Sequence, residues 1–92
     1  MNREQFAASA AVLAVRVNLF ERDKRGEFEV GIFDRGDHFE VYWAVDRTGI
    51  RYQQEFATEA DALTKMLALA HLEDQRSLLF RNHPRPGAPT SG

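Results

Sequence analysis

"HFEVYWAVDRTGIRYQQEFATEADAL", residues 38–63, contains two strands, the turn between them and the start of a helix. Phe39, Val41, Trp43 and Val45 alternate with His38, Glu40, Tyr42 and Ala44, the period of two that marks a strand with two distinct faces. "DRTG" follows, with Asp46 first and Gly49 fourth, the pattern of a type I turn closed by a glycine bulge. Ile50, Tyr52, Gln54 and Phe56 then alternate with Arg51, Gln53 and Glu55. After Phe56 the period changes to that of a helix. The Thr58 hydroxyl can cap backbone donors, and Glu59 and Asp61 suit the positive end of the helix dipole.

Upstream the same grammar repeats. "EFEVGIF" (27–33) alternates Phe28, Val30 and Ile32 with Glu27, Glu29 and Gly31, and "VLAVRVNLFE" (12–21) sets Leu13, Val15, Val17 and Leu19 on one side. The links "RDKRG" and "DRGD" are short and each carries a glycine, so adjacent strands are expected to run antiparallel. The expected fold is α+β: a four-stranded antiparallel β-meander packed on one face by a helix from Thr58 to about Arg76. "NREQFAASAA" can form a short N-terminal helix, or the helical run extends through Val15 at the expense of the first strand, and a strand from about Val12 is preferred.

Composition narrows the classes. Ninety-two residues suit one domain, read as 1–80, with 81–92 as a flexible tail rich in proline and glycine. No cysteine is present, which removes disulfides and thiolate metal sites and leaves a second subunit as the means of supplementing a small core. Twelve Lys and Arg against 14 Asp and Glu give no general attraction to nucleic acid or anionic membrane. No apolar run approaches the length of a spanning helix, and a cytoplasmic protein is expected.

Candidate chemistry is sparse. The Arg-Gly-Asp triplet at Arg35 to Asp37 lies in a tight turn and reads as turn chemistry. His38, His71 and His83 fall at no metal-ligand interval, and Ser9, Ser77 and Ser91 stand outside any nucleophile elbow. Glu29, Glu40 and Glu55, read as an exposed sheet face with His38 nearby, have no evident cleft to work in. No enzyme, cofactor, metal or small-molecule substrate is expected.

Two binding readings stand. In a meander the first and third turns share one end, which would gather Arg22, Lys24, Arg25 and Arg47 beside Arg51 and an exposed Tyr42, a platform for nucleic acid diluted by neighbouring carboxylates. The other reading starts from the helix. Leu63, Leu67 and Ala70 suffice to cover the sheet, yet Ala62, Met66, Leu69 and Leu72 form a second apolar stripe, extended by Leu78, Leu79 and Phe80. Either the N-terminal segment covers that stripe or it is an interface, and the interface is preferred: a protein contact through Met66, Leu69, Leu72, Leu79 and Phe80, in a homodimer or with a larger protein.

A meander followed by a helix opening "FATEADAL" resembles several groups of small bacterial or phage proteins. They include arm-type DNA-binding domains of integrases and inhibitors of larger enzymes. The likeness is one of architecture, over residues 27 to about 72, and assigns no functional residue. The expected function is that of a small non-enzymatic interaction module, with nucleic-acid binding as the alternative.

Overall fold

The computed structural model describes residues 1–45 and 49–82, with side chains as far as Leu79. Its elements are α1 (Arg3–Ala10), β1 (Arg16–Leu19), β2 (Glu29–Asp34), β3 (Phe39–Ala44), β4 (Ile50–Phe56) and α2 (Glu59–Asn82). The strands lie in chain order β1-β2-β3-β4 in one sheet, and the α+β class stands as read.

The meander is corrected at its first strand. β2 with β3 and β3 with β4 are antiparallel, but β1 runs parallel to β2, with Val17 opposite Val30 and Leu19 opposite Ile32, so the sheet is mixed. Residues 20–28 therefore carry the chain back along the sheet instead of forming a hairpin. The reversal is made at its two ends, where Phe20 and Phe28 take the positive φ values of 61° and 52°. Gly26 serves differently: its N–H donates to Glu29 Oε2 at 2.8 Å, an approach that a Cβ on Gly26 would block.

The short N-terminal helix is present, and the correction here concerns only where the first strand begins. Asn2 accepts from the Gln5 backbone N–H at 2.8 Å while the Gln5 side chain accepts from that of Asn2 at 2.9 Å, a reciprocal capping box that starts α1. The strand expected from Val12 begins only at Arg16, and Val12 is exposed. Leu13, Val15, Val17 and Leu19 nevertheless pack toward the core as their alternation implied.

That core lies between the sheet and the helices. Val30, Ile32, Val41 and Trp43 meet Ala62, Leu63, Met66, Leu69 and Ala70 of α2, and Phe6 of α1 is fully buried among them. Removing such side chains from water is the main stabilising term available to a chain without disulfides. The second sheet face, expected to be exposed, is covered too. Phe33, Tyr42 and Ala44 form a smaller buried cluster, and Glu29 and Glu40 are buried beside them under the 20–28 crossover.

In the link between β2 and β3, the Arg-Gly-Asp triplet is turn chemistry as read. Arg35 N–H donates to the His38 carbonyl at 3.0 Å, Gly36 N–H donates to Asp34 Oδ1 at 2.9 Å, and Gly36 holds φ at 95°. The "DRTG" turn lies mostly outside the described residues, although Val45 N–H reaches the Gly49 carbonyl at 3.1 Å.

Candidate functional site

Helix α2 runs for 24 residues, or about 36 Å at the rise of an α-helix, and exceeds the sheet beneath it. The sequence placed its sheet-facing stripe at Leu63, Leu67 and Ala70. The buried face is centred instead on Ala62, Leu63, Met66, Leu69, Ala70 and Glu73, while Leu67 is only partly buried. Met66 and Leu69 are thus corrected from interface to core, because α1 and the segment after it supply the second wall. Leu72 and Leu79 remain outside, 48% and 58% exposed, joined by Leu78 at 44%. The tail expected over 81–92 starts later than read, since α2 runs on to Asn82; the Phe80 side chain and residues 83–92, with His83, lie outside the described residues.

The side of α2 turned away from the core has an unusual composition. From Thr64 to Leu79 its exposed positions are Thr64, Ala68, His71, Leu72, Gln75, Leu78 and Leu79, without one Lys, Arg, Asp or Glu. Charged residues of the same span are engaged elsewhere. Lys65 lies over the Tyr52 ring, 4.8 Å from its centroid. Buried Glu73 accepts two hydrogen bonds from Arg76, at 2.6 and 2.8 Å, and Arg76 also faces the Phe28 ring. Asp74 Oδ1 accepts from the Ala14 backbone N–H at 2.9 Å. In a chain of which 28% is charged, an uncharged outer helix face is a departure from the mixed surface expected of a monomer.

The platform expected around the turn arginines is not assembled as read. Tyr42 is fully buried, stacked on Phe33, with its hydroxyl donating to Glu29 and accepting from Asn18 Nδ2. The parallel crossover removes the first turn from its expected place, and Arg47 lies outside the described residues. Arg22 is committed to Glu29 at 2.6 Å, and Arg25 and Arg35 each stand 3.6 Å from Glu40. Arg51 faces the Trp43 ring, while Lys24 lines an open cleft of about 850 Å³ with Arg3, Arg22 and Arg35. Glu21, Asp23 and Asp34 line the same cleft, and Arg3 is paired with Glu59, so its charge is nearly balanced.

The buried group under the crossover was not foreseen as a unit. Burial alone would push the Glu29 carboxyl up, but hydrogen bonds from Tyr42, Gly26 N–H and Arg22 bring it below its usual value. Burial, then the Glu29 hydrogen bond, pushes the Tyr42 phenol up. Asn18 completes the group: its Oδ1 accepts from the N–H of Glu21 and Arg22, and its Nδ2 donates to the Arg22 carbonyl. These residues are closed to solvent at Asn18, Glu29 and Tyr42, which suits holding a loop better than reaching a substrate. No sequence motif marks the group, since its members come from β1, β2, β3 and the crossover.

His38 bridges Asp37 Oδ1 at 2.6 Å and Glu55 Oε1 at 3.6 Å on the solvent side, and that hydrogen bond holds the Asp37 carboxyl below its usual value. Glu40 stands directly across from Glu55 in the β3–β4 register, but Glu40 is nearly closed off and Glu55 is open to water. Among the described residues no group of His, Asp and Glu is arranged to hold a metal ion, and no helix is long and apolar enough to cross a membrane. Compared with known proteins, the chain matches no family model, no curated protein and no solved structure.

Proposed function

We propose that this chain is a small non-enzymatic interaction module that binds a larger protein through the outer face of α2. The observation that carries the reading is the uncharged exposed stripe ending in Leu72, Leu78 and Leu79, beside which every charge of the same span has an intrachain partner. A partner of matching chemistry presents an apolar groove or helix face without buried charge, since an unpaired charge against this stripe would be desolvated without compensation.

The test is a photo-crosslinking residue placed at Leu79, used to identify the protein it reaches, followed by calorimetry with both proteins purified. Binding should show a negative heat-capacity change, weak salt dependence, and a loss of about 100-fold or more in Leu72→Glu/Leu79→Glu, as for substitutions at a desolvated contact centre. Unchanged affinity in that variant, with its melting temperature intact, would remove the basis of the proposal.

Nucleic-acid binding is the second reading; it rests on Lys24 and the arginines that line the cleft, whose charge the carboxylates there largely offset. It predicts the opposite salt response, a steep fall of log affinity with log salt, and sensitivity to Lys24→Glu with indifference to Leu79.

A further inference from the structure

α2 lies over β2, β3 and β4, and α1 packs on α2, which leaves the edge strand β1 thinly covered. A groove of about 360 Å³ remains between β1 and α1. Val15, Val17 and Leu19, all partly buried, form one wall, and Ala7, Ala10 and Ala11 form the other. Those alanines fall at i, i+3 and i+4 on one side of α1 and are too short to close the gap. Glu21, just past β1, is the charged member of the lining.

β1 is short but regular. Arg16–Leu19 pairs with Glu29–Ile32 in an unbroken register, without proline, glycine or lysine, and among the described residues no strand lies on its outer side. In a parallel pair alternate residues turn both N–H and C=O outward, so two residues of β1 present backbone groups to a further strand. Val17 and Leu19, opposite Val30 and Ile32, face the helices, while Arg16 and Asn18 face the crossover. Exposed Arg16 takes part in none of the ion pairs that hold Arg3, Arg22, Arg25, Arg35 and Arg76.

We propose that this edge and groove bind an extended segment of another protein as a fifth strand, antiparallel to β1, with the pattern basic, apolar, polar, apolar, acidic. The two apolar residues then stand opposite Leu19 and Val17, and their side chains enter the groove. Its volume is at the small end of the range for ligand pockets, in keeping with two side chains rather than a whole molecule. The polar residue lies opposite Asn18 and the acidic one opposite Arg16, a favourable cross-strand pair on the crossover face. The basic residue falls beside Glu21.

Backbone pairing supplies affinity here and the alternate side chains supply selectivity, as in strand addition to other sheet edges. The motif is short because Phe20, at a φ of 61°, turns the chain away after Leu19. The reversed charge order would suit parallel addition, but antiparallel pairing is the more stable per residue. The site shares no residue with the outer face of α2.

The test uses a synthetic peptide with blocked ends, Thr-Lys-Ile-Thr-Ile-Glu-Thr, titrated into the full chain and followed by backbone NMR. Amides of β1 and of the second half of α1 should shift and saturate with a dissociation constant of about 1 mM or lower. N-methylation of the two Ile amides, or of the central Thr and Glu amides instead, should abolish binding in one case and spare it in the other, because only alternate amides face β1. Arg16→Glu should weaken binding about tenfold, and a peptide with Arg in place of Glu should restore it. Ala7→Phe and Ala11→Phe, at exposed positions, should fill the groove and block the peptide at unchanged melting temperature. No saturable shift up to about 10 mM peptide, equal effects of the two methylated sets, or self-association of the chain that occupies β1 with a second copy would each overturn the proposal. Leu72→Glu/Leu79→Glu should bind the peptide as the wild type does, which separates failure here from failure of the α2 reading.

Discussion

The ring of Tyr42 lies over Gly31, its cross-strand neighbour in the β2–β3 register, so closely that a Cβ on Gly31 would stand 2.3 Å from the ring carbons. Glycine is required here by the approach of an aromatic side chain, and φ plays no part. Gly31→Ala must displace a ring that is also fixed by Glu29 and Asn18. We expect a loss of about 1–3 kcal/mol, the range for overpacking a closed interior, read as a lower urea midpoint at unchanged slope. Gly36→Ala makes a useful comparison, since open space surrounds Gly36 and only its positive φ opposes a side chain.

The hydroxyl of the same ring sets a pH dependence. Glu29 is held below the usual glutamate value of 4.5 in the folded chain, where burial is outweighed by its three hydrogen-bond donors. Folding therefore favours the ionised form. Its contribution is complete above the unfolded value and is lost as pH falls from near 4.5 through the lower folded value. Urea titrations between pH 7 and 3 should show the wild-type stability falling across that window. Glu29→Gln should be less stable at pH 7 but flatter below pH 4.5. Tyr42→Phe removes one donor and should move the wild-type fall to higher pH.

How far the fold could be read depended on the kind of signal. Alternation in 27–56 and the change of period at Thr58 are local, and they located β2, β3, β4 and the start of α2. The direction of β1 was not local. It depends on Asn18, Arg22, Glu29 and Tyr42 closing over one another, a group scattered through 25 positions that leaves no motif. Apolar stripes on α2 were legible as stripes, but which of them faced inward depended on where α1 docks. Leu72 and Leu79 were found because they are apolar at exposed positions.

Met66 and Leu79 were read together from sequence, and their substitutions should now diverge. Met66 is fully buried between the sheet and α1, so Met66→Ala should cost about 2–4 kcal/mol through lost transfer energy and a residual cavity. Leu79 is 58% exposed near the end of α2, so Leu79→Ala should change stability by less than about 0.5 kcal/mol. Chemical denaturation of the two variants is sufficient. A comparable loss at both would mean that α2 is covered over its whole circumference within one chain, and the interaction surface would have to lie elsewhere.

Asn18 anchors the return of the chain from β1 to β2. Its carboxamide satisfies two backbone N–H groups and one carbonyl of the crossover, at 2.9 to 3.1 Å, while its own residue is 1% exposed. Asn18→Ala leaves those groups without that partner and withdraws a donor from Tyr42, and each unsatisfied buried group costs about 1–3 kcal/mol unless water reaches it. Solvent can reach the exposed Glu21 and Arg22, so the loss should be concentrated in local order rather than global stability. Hydrogen exchange should show faster exchange at Glu21, Arg22 and Gly26, with Val30, Ile32 and Val41 protected as before. If the β2 and β3 amides lose protection in step with the crossover, the parallel strand and its return are part of the cooperative core, and the sheet does not stand without them.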